Sequence, residues 1–120
     1  MTNTHITIGG HKVTTNKVGQ VHTITSVSSG WTIVGYIKWC VINGFCYVIV
    51  WGVNASVEGT NQTVCSGLPE GKLLGGSASA PGANLCWVHT GGVLQADIYN
   101  TAYGLYTSIV YPVADNWVES

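Results

Sequence analysis

Residues 31–53 read WTIVGYIKWCVINGFCYVIVWGV, two β-rich apolar runs on either side of Asn43-Gly44. Asn-Gly suits a type I′ turn, in which both central residues take positive φ and the twist matches that of the flanking strands, so the stretch is predicted to be a β-hairpin. With a two-residue loop, Ile42 opposes Phe45. Tyr36, Lys38, Cys40 and Ile42 then share a face with Trp51, Ile49, Tyr47 and Phe45, while Ile37, Trp39 and Val41 share the other with Cys46, Val48 and Val50. In this register Cys40 and Cys46 point to opposite faces and cannot be bridged; a three-residue loop would bring them together. Both faces are apolar, so both must be covered. One side is the core. The other faces either a second layer of the same chain or a neighbouring subunit, and the scarcity of charge elsewhere favours the subunit.

Outward from the hairpin, THITIG and VHTITSV near the N-terminus alternate polar and apolar residues as half-buried strands do, and residues 1–28 form an arm or a strand pair. After Thr63-Val64-Cys65 come the turn cluster SGLPEGK and the small-residue stretch GGSASAPGAN, read as a loop. LCWVH, the turn Thr90-Gly91-Gly92 and VLQADIY make a second hairpin, and YGLYTSIVYPV supplies a closing strand. Abundant Val, Ile and Thr, with 16 Gly among 120 residues, fit a single all-β domain over residues 1–120.

Charged residues make up only 8% of the chain, with four Lys, no Arg and five acids. No positive field exists to displace counterions from phosphates, so nucleic acid is not expected as a partner. The longest apolar stretch, residues 45–53, is far short of the ~20 residues that span a bilayer, and membrane insertion is not expected. Nor does a charged start followed by an apolar run mark an export signal. Cys40, Cys46, Cys65 and Cys86 lack the spacing of a zinc or redox pair, and His5, His11, His22 and His89 include no i, i+2 strand pair; a metal would need ligands from several strands or subunits, and neither metal nor cofactor is expected.

The acids are Glu58, Glu70, Asp97, Asp115 and Glu119. Of these Asp97 alone lies inside an expected strand, which leaves glycan hydrolysis, a two-carboxylate reaction, without an evident pair. No G-x-S-x-G elbow occurs either, and the chain is not expected to be an enzyme. Saccharide recognition asks instead for an aromatic face with fixed donors and acceptors around it. In the second hairpin, a loop of Thr90 to Gly92 sets Leu85 opposite Asp97, Trp87 opposite Gln95 and His89 opposite Val93, so that one face presents Trp87, His89, Gln95, Asp97 and Tyr99. The same residues also suit core packing and cross-strand hydrogen bonds. Asn84, Asn100 and Tyr103 flank this face as rim residues. Lys38 stands among aromatics with its ammonium free to reach solvent or a ring. Trp117 either pins the C-terminal segment or stays open to a partner.

The order of these pieces, an apolar hairpin, a strand leading to Gly67-Leu68-Pro69-Glu70-Gly71, a loop, two strands around a glycine turn and a last strand closing on Tyr111-Pro112-Val113, resembles the C-terminal receptor-binding or tip domains of tail-fibre, baseplate and minor structural proteins of phages and prophages of Gram-positive bacteria. The resemblance covers roughly residues 31–113. Lys72-Leu73-Leu74 departs from it, standing where those domains carry Tyr-Arg-Pro, so no role of that Arg transfers. What the resemblance implies is a small antiparallel β-sandwich or barrel, jelly-roll-like, forming a homotrimer at the tail tip of a virion and made in the host cytoplasm. It would bind host cell-surface saccharide without catalysis. The alternative is a trimerisation or assembly domain of a fibre that holds no ligand.

Overall fold

The computed structural model describes residues 5–8, 11–14, 18–73, 77–79 and 81–119. The strands are β1 His5–Ile8, β2 His11–Thr14, β3 His22–Ile24, β4 Trp31–Ile42, β5 Phe45–Ala55, β6 Gly59–Cys65, β7 Ser77–Ser79, β8 Leu85–His89, β9 Val93–Ile98 and β10 Leu105–Pro112. They form one four-stranded sheet in the order β10-β5-β4-β3, a second in the order β6-β9-β8-β7, and a separate β1-β2 pair, every pairing antiparallel. The two larger sheets enclose one apolar core, and the fold is an antiparallel β-sandwich.

The central hairpin follows its local chemistry. Asn43 and Gly44 take φ of 50° and 81°, the signature of a type I′ turn. Ile42 pairs with Phe45, Cys40 with Tyr47, Lys38 with Ile49 and Tyr36 with Trp51. Ile37, Trp39, Val41, Cys46, Val48 and Val50 are buried against the second sheet. Near Gly52, which has φ of 67°, the pairings of β5 with both neighbours shift, so the inward positions change from even numbers to Val53 and Ala55. Cys40 and Cys46 lie on opposite faces, and all four cysteines are free thiols.

From the second sheet come Val64, Cys65, Cys86, Val88, Leu94, Ala96 and Ile98. THITIG contains β1, and VHTITSV contains β3, which joins the edge of the sandwich. Two elements depart from expectation. The polar HKVT forms β2, and Ser77–Ser79, inside the stretch read as a loop, forms β7 on the edge beside β8. A short edge strand is held by backbone hydrogen bonds and needs no apolar alternation. Residues 75, 76 and 80 of that stretch lie outside the described residues, as does Gly9-Gly10.

The Leu68-Pro69-Glu70-Gly71 segment is clamped between two distant parts of the chain. On one side Leu68 N–H donates to Gly92 O at 3.1 Å and Gly71 N–H to Thr90 O at 3.0 Å, both in the β8–β9 turn. On the other, the Tyr111 hydroxyl donates to Pro69 O at 2.8 Å, Lys72 N–H to Pro112 O at 3.1 Å and Ala114 N–H to Glu70 O at 2.8 Å. Gly92 is required here twice over: its φ is 79°, and a Cβ would collide with the Leu68 carbonyl. The two motifs that carry the phage resemblance, 42 residues apart, are therefore joined by one buried hydrogen bond.

Tyr111→Phe keeps the ring but leaves the Pro69 carbonyl without its donor, and should lower unfolding free energy by about 1–2 kcal/mol, measured by urea denaturation. The thiols give a second expectation. Burial disfavours the thiolate and pushes Cys46 and Cys65 up to about 11 and Cys86 to about 12. A thiol reagent near neutral pH should therefore leave Cys46, Cys65 and Cys86 unmodified in the native chain and react with all four thiols after unfolding. Because these folded values lie above the ordinary 9.0, the unfolded chain ionises first. The stabilising contribution is complete below pH 9 and should decline as pH rises from there through the folded values.

Candidate functional site

The two sheets turn very different outer faces to the surroundings. On the β6-β9-β8-β7 sheet the strands alternate cleanly. Leu94, Ala96 and Ile98 of β9 and Cys86 and Val88 of β8 point inward, and the residues between them point out. Leu85 pairs with Asp97, Trp87 with Gln95 and His89 with Val93, the register set by the short Thr90-Gly91-Gly92 turn. From β6, Thr63 pairs with Gln95 and extends that row to Thr63, Gln95 and Trp87. Trp87 is half-buried, and its indole Nε1–H donates to Gln95 Oε1 at 3.0 Å across the strands. Asp97 in the adjacent row accepts the Asn61 backbone N–H on Oδ1 at 2.7 Å. Asn61 sits with φ of 54° where the β6–β9 pairing shifts, which aims its N–H at the carboxylate.

Trp87, Gln95 and Asp97 thus form a contiguous polar-aromatic patch, and His89 lies one row further on beside the turn, exposed. Tyr99 follows the end of β9 and is exposed, with its backbone N–H held by Asn84 Oδ1 at 2.8 Å. The patch is fixed by a sheet with one satisfied bond on each of its two central polar groups, so its indole and its carboxylate are presented in set orientations. Each retains unused capacity: the carboxylate has a second oxygen, and the indole has its ring face.

Asn84 is corrected from a rim residue to a buried one. It is fully buried, the sole buried polar side chain among the described residues, and all its hydrogen bonds run to the 99–103 loop. Nδ2 donates to Asn100 O at 3.0 Å and Tyr103 O at 3.2 Å, and Oδ1 accepts the N–H groups of Tyr99 and Asn100 at 2.8 and 3.1 Å. Its work is to shape that loop. Asn100 contributes backbone to the same network and caps Ala102 N–H with its own side chain at 3.0 Å, and Tyr103 is exposed above Gly82.

A concave region lies elsewhere, beneath the C-terminal segment. A hollow of about 460 Å³ is bordered by Phe45, Lys72, Pro112, Asp115, Trp117 and Glu119, and a neighbouring one of about 400 Å³ by Trp39, Leu68 to Glu70 and Asn116 to Val118. Trp117 and Val118 border both. Trp117 meets Trp39 edge-on at 6.3 Å, His22 stacks on the Trp39 ring at 4.0 Å, and His22 Nε2 contacts Glu119 Oε2 at 2.7 Å. Trp117 therefore pins the segment. Sequence reasoning left it undecided, because His22 and Glu119 are 97 residues apart. Among the described residues, no three His, Cys, Asp or Glu side chains gather closely enough to hold a metal ion.

Asn84→Ala removes four hydrogen bonds that a buried side chain makes to the 99–103 loop and should cost about 3 kcal/mol of stability, read from the denaturant midpoint, with Tyr103 losing its fixed environment in NMR spectra. Comparison of the chain with protein-family models, with curated proteins and with solved structures finds no match.

Proposed function

We propose that this chain is a saccharide-binding module without catalytic activity, the receptor-binding tip of a phage or prophage tail fibre or baseplate, working as a homotrimer on the virion against a host cell-surface glycan. The observation that carries the reading is the Trp87-Gln95-Asp97 patch. An indole stacks on the apolar C–H face of a pyranose, and a neighbouring carboxylate and amide accept and donate hydrogen bonds to ring hydroxyls. Placed on a sheet rather than a loop, these groups lose little freedom on binding. His89 and Thr63 border the patch and extend its reach. Supporting the tail-tip assignment is the resemblance of residues 31–113, whose two motif ends meet through Tyr111 and Pro69. Affinity at one site is modest, and three sites per tip, repeated over several fibres, raise it by avidity.

A second reading, a trimerisation domain that holds no ligand, draws on the same patch. Trp87 Nε1 and Asp97 Oδ1 already have partners within the chain, which suits a structural role as well.

The test is a panel of Gram-positive cell-wall polysaccharides probed with the wild-type chain, Trp87→Ala and Asp97→Asn. Each substitution should weaken glycan binding at least about tenfold while native mass and thermal midpoint stay near wild type. Variants that bind as well as wild type would remove the site assignment, and a wild-type oligomer that binds nothing on the panel would favour the ligand-free reading.

A further inference from the structure

We infer that the outer face of the β10-β5-β4-β3 sheet is the surface on which copies of this chain meet. The inference rests on the homo-oligomer of the proposed function and names the face that oligomer buries.

Strand pairing arranges this face in four rows. Tyr106, Trp51 and Tyr36 form the first; Ser108, Ile49, Lys38 and Thr23 the second; Val110, Tyr47 and Cys40 the third; Pro112, Phe45, Ile42 and Val18 the fourth. Seven large side chains here, Tyr36, Phe45, Tyr47, Ile49, Trp51, Tyr106 and Val110, remain between 38% and 51% exposed. Together they present roughly 700 Å², close to the ~800 Å² that each partner contributes to a standard stable interface. That is also larger than the apolar patch a typical monomer leaves bare.

The chemistry of the face selects its occupant. The four rows hold no acid and one cation, Lys38, whose ammonium is already turned onto the Tyr36 ring at 5.1 Å from its centroid. A basic or acidic partner finds nothing to pair with. Three copies of this face turned toward a common three-fold axis each meet, on both flanks, an uncharged aromatic-aliphatic surface like their own. Trp51 and Tyr106, locked edge-to-face at 4.8 Å and 88°, give the face a rigid aromatic anchor at one end, the residue type that dominates interface energetics. The opposite outer face, with Thr63, Gln95, Asp97 and His89, has the ordinary alternation of a wetted sheet and stays free for ligand.

Native mass by light scattering over a range of concentrations tests this with the wild-type chain, Ile49→Glu at the centre of the face, and Thr63→Glu on the opposite face. The wild type and Thr63→Glu should be oligomers of the same mass. Ile49→Glu should be a folded monomer with an unchanged circular dichroism spectrum, its association weakened at least about 100-fold by an unpaired charge at the interface. Ile49→Thr, β-branched and exposed in the single chain, should dissociate at higher concentration than wild type and settles the matter should the Glu variant not fold. A wild-type chain that is monomeric at every concentration, or an Ile49 variant of wild-type mass and affinity, overturns the assignment. Glycan binding per chain, measured on the same samples, separates the two proposals: Ile49→Glu should keep single-site binding as a monomer, whereas Trp87→Ala should lose binding as an oligomer.

Discussion

The two-residue turn at Asn43-Gly44 is the constraint on which the architecture depends. In a strand, side chains alternate with a period of two, so one more residue in that loop would have exchanged the faces of one strand relative to its partner. Cys40 would then lie beside Cys46, and Tyr36 and Lys38 would stand opposite positions that now face the core. The turn holds Ile37, Trp39 and Val41 together with Cys46, Val48 and Val50, and these six side chains are the centre of the first sheet's contribution to the interior. Everything packed on them, including the second sheet that presents Trp87 and Asp97, inherits that choice.

A second constraint works across the sandwich. The Leu68 to Gly71 segment has no regular strand pairing beyond the Gly71 bridge to Val113, yet it is held on both sides, by the β8–β9 turn and by Tyr111 with the residues after it. Gly92 lacks a Cβ because the Leu68 carbonyl occupies that space. The clamp couples the β8–β9 hairpin to the strand β10 of the other sheet. In this way the polar patch on one outer face and the apolar rows on the opposite face are parts of one mechanically continuous body.

What could be read from the sequence was whatever depends on neighbours in the chain. Asn43-Gly44 and the alternation around it disclosed the first hairpin from Tyr36 to Trp51, though not the register shift beyond Tyr36, and Thr90 to Gly92 did the same for Leu85 against Asp97 and Trp87 against Gln95. The assignment of inside and outside was not legible for β4 and β5, since both faces are apolar and only the second sheet decides between them. Asn84 looked like a loop residue among Gly and Ala; its burial follows from the path of the 99–103 loop, which no local pattern encodes. β7 escaped because Ser-Ala-Ser carries no alternation and pairs through its backbone. The contacts of Tyr111 with Pro69 and of His22 with Glu119 escaped because they join residues far apart in the chain. The candidate patch was therefore legible as a row of side chains, and the hydrogen bonds that orient it from Asn61 were not.

The placement of β10 has a consequence for how the chain is made. β10 is synthesised about fifty residues after β5, the strand it covers, and it brings with it the Tyr111 hydroxyl that secures Pro69. During translation the long, apolar edge of β5 is bare for the seconds that those residues take to emerge, and an open edge of this kind is a template for pairing with another nascent chain. Assembly of the sandwich is thus gated by a late event. Neighbouring ribosomes on one message would hold several such edges close together before β10 arrives to cover them.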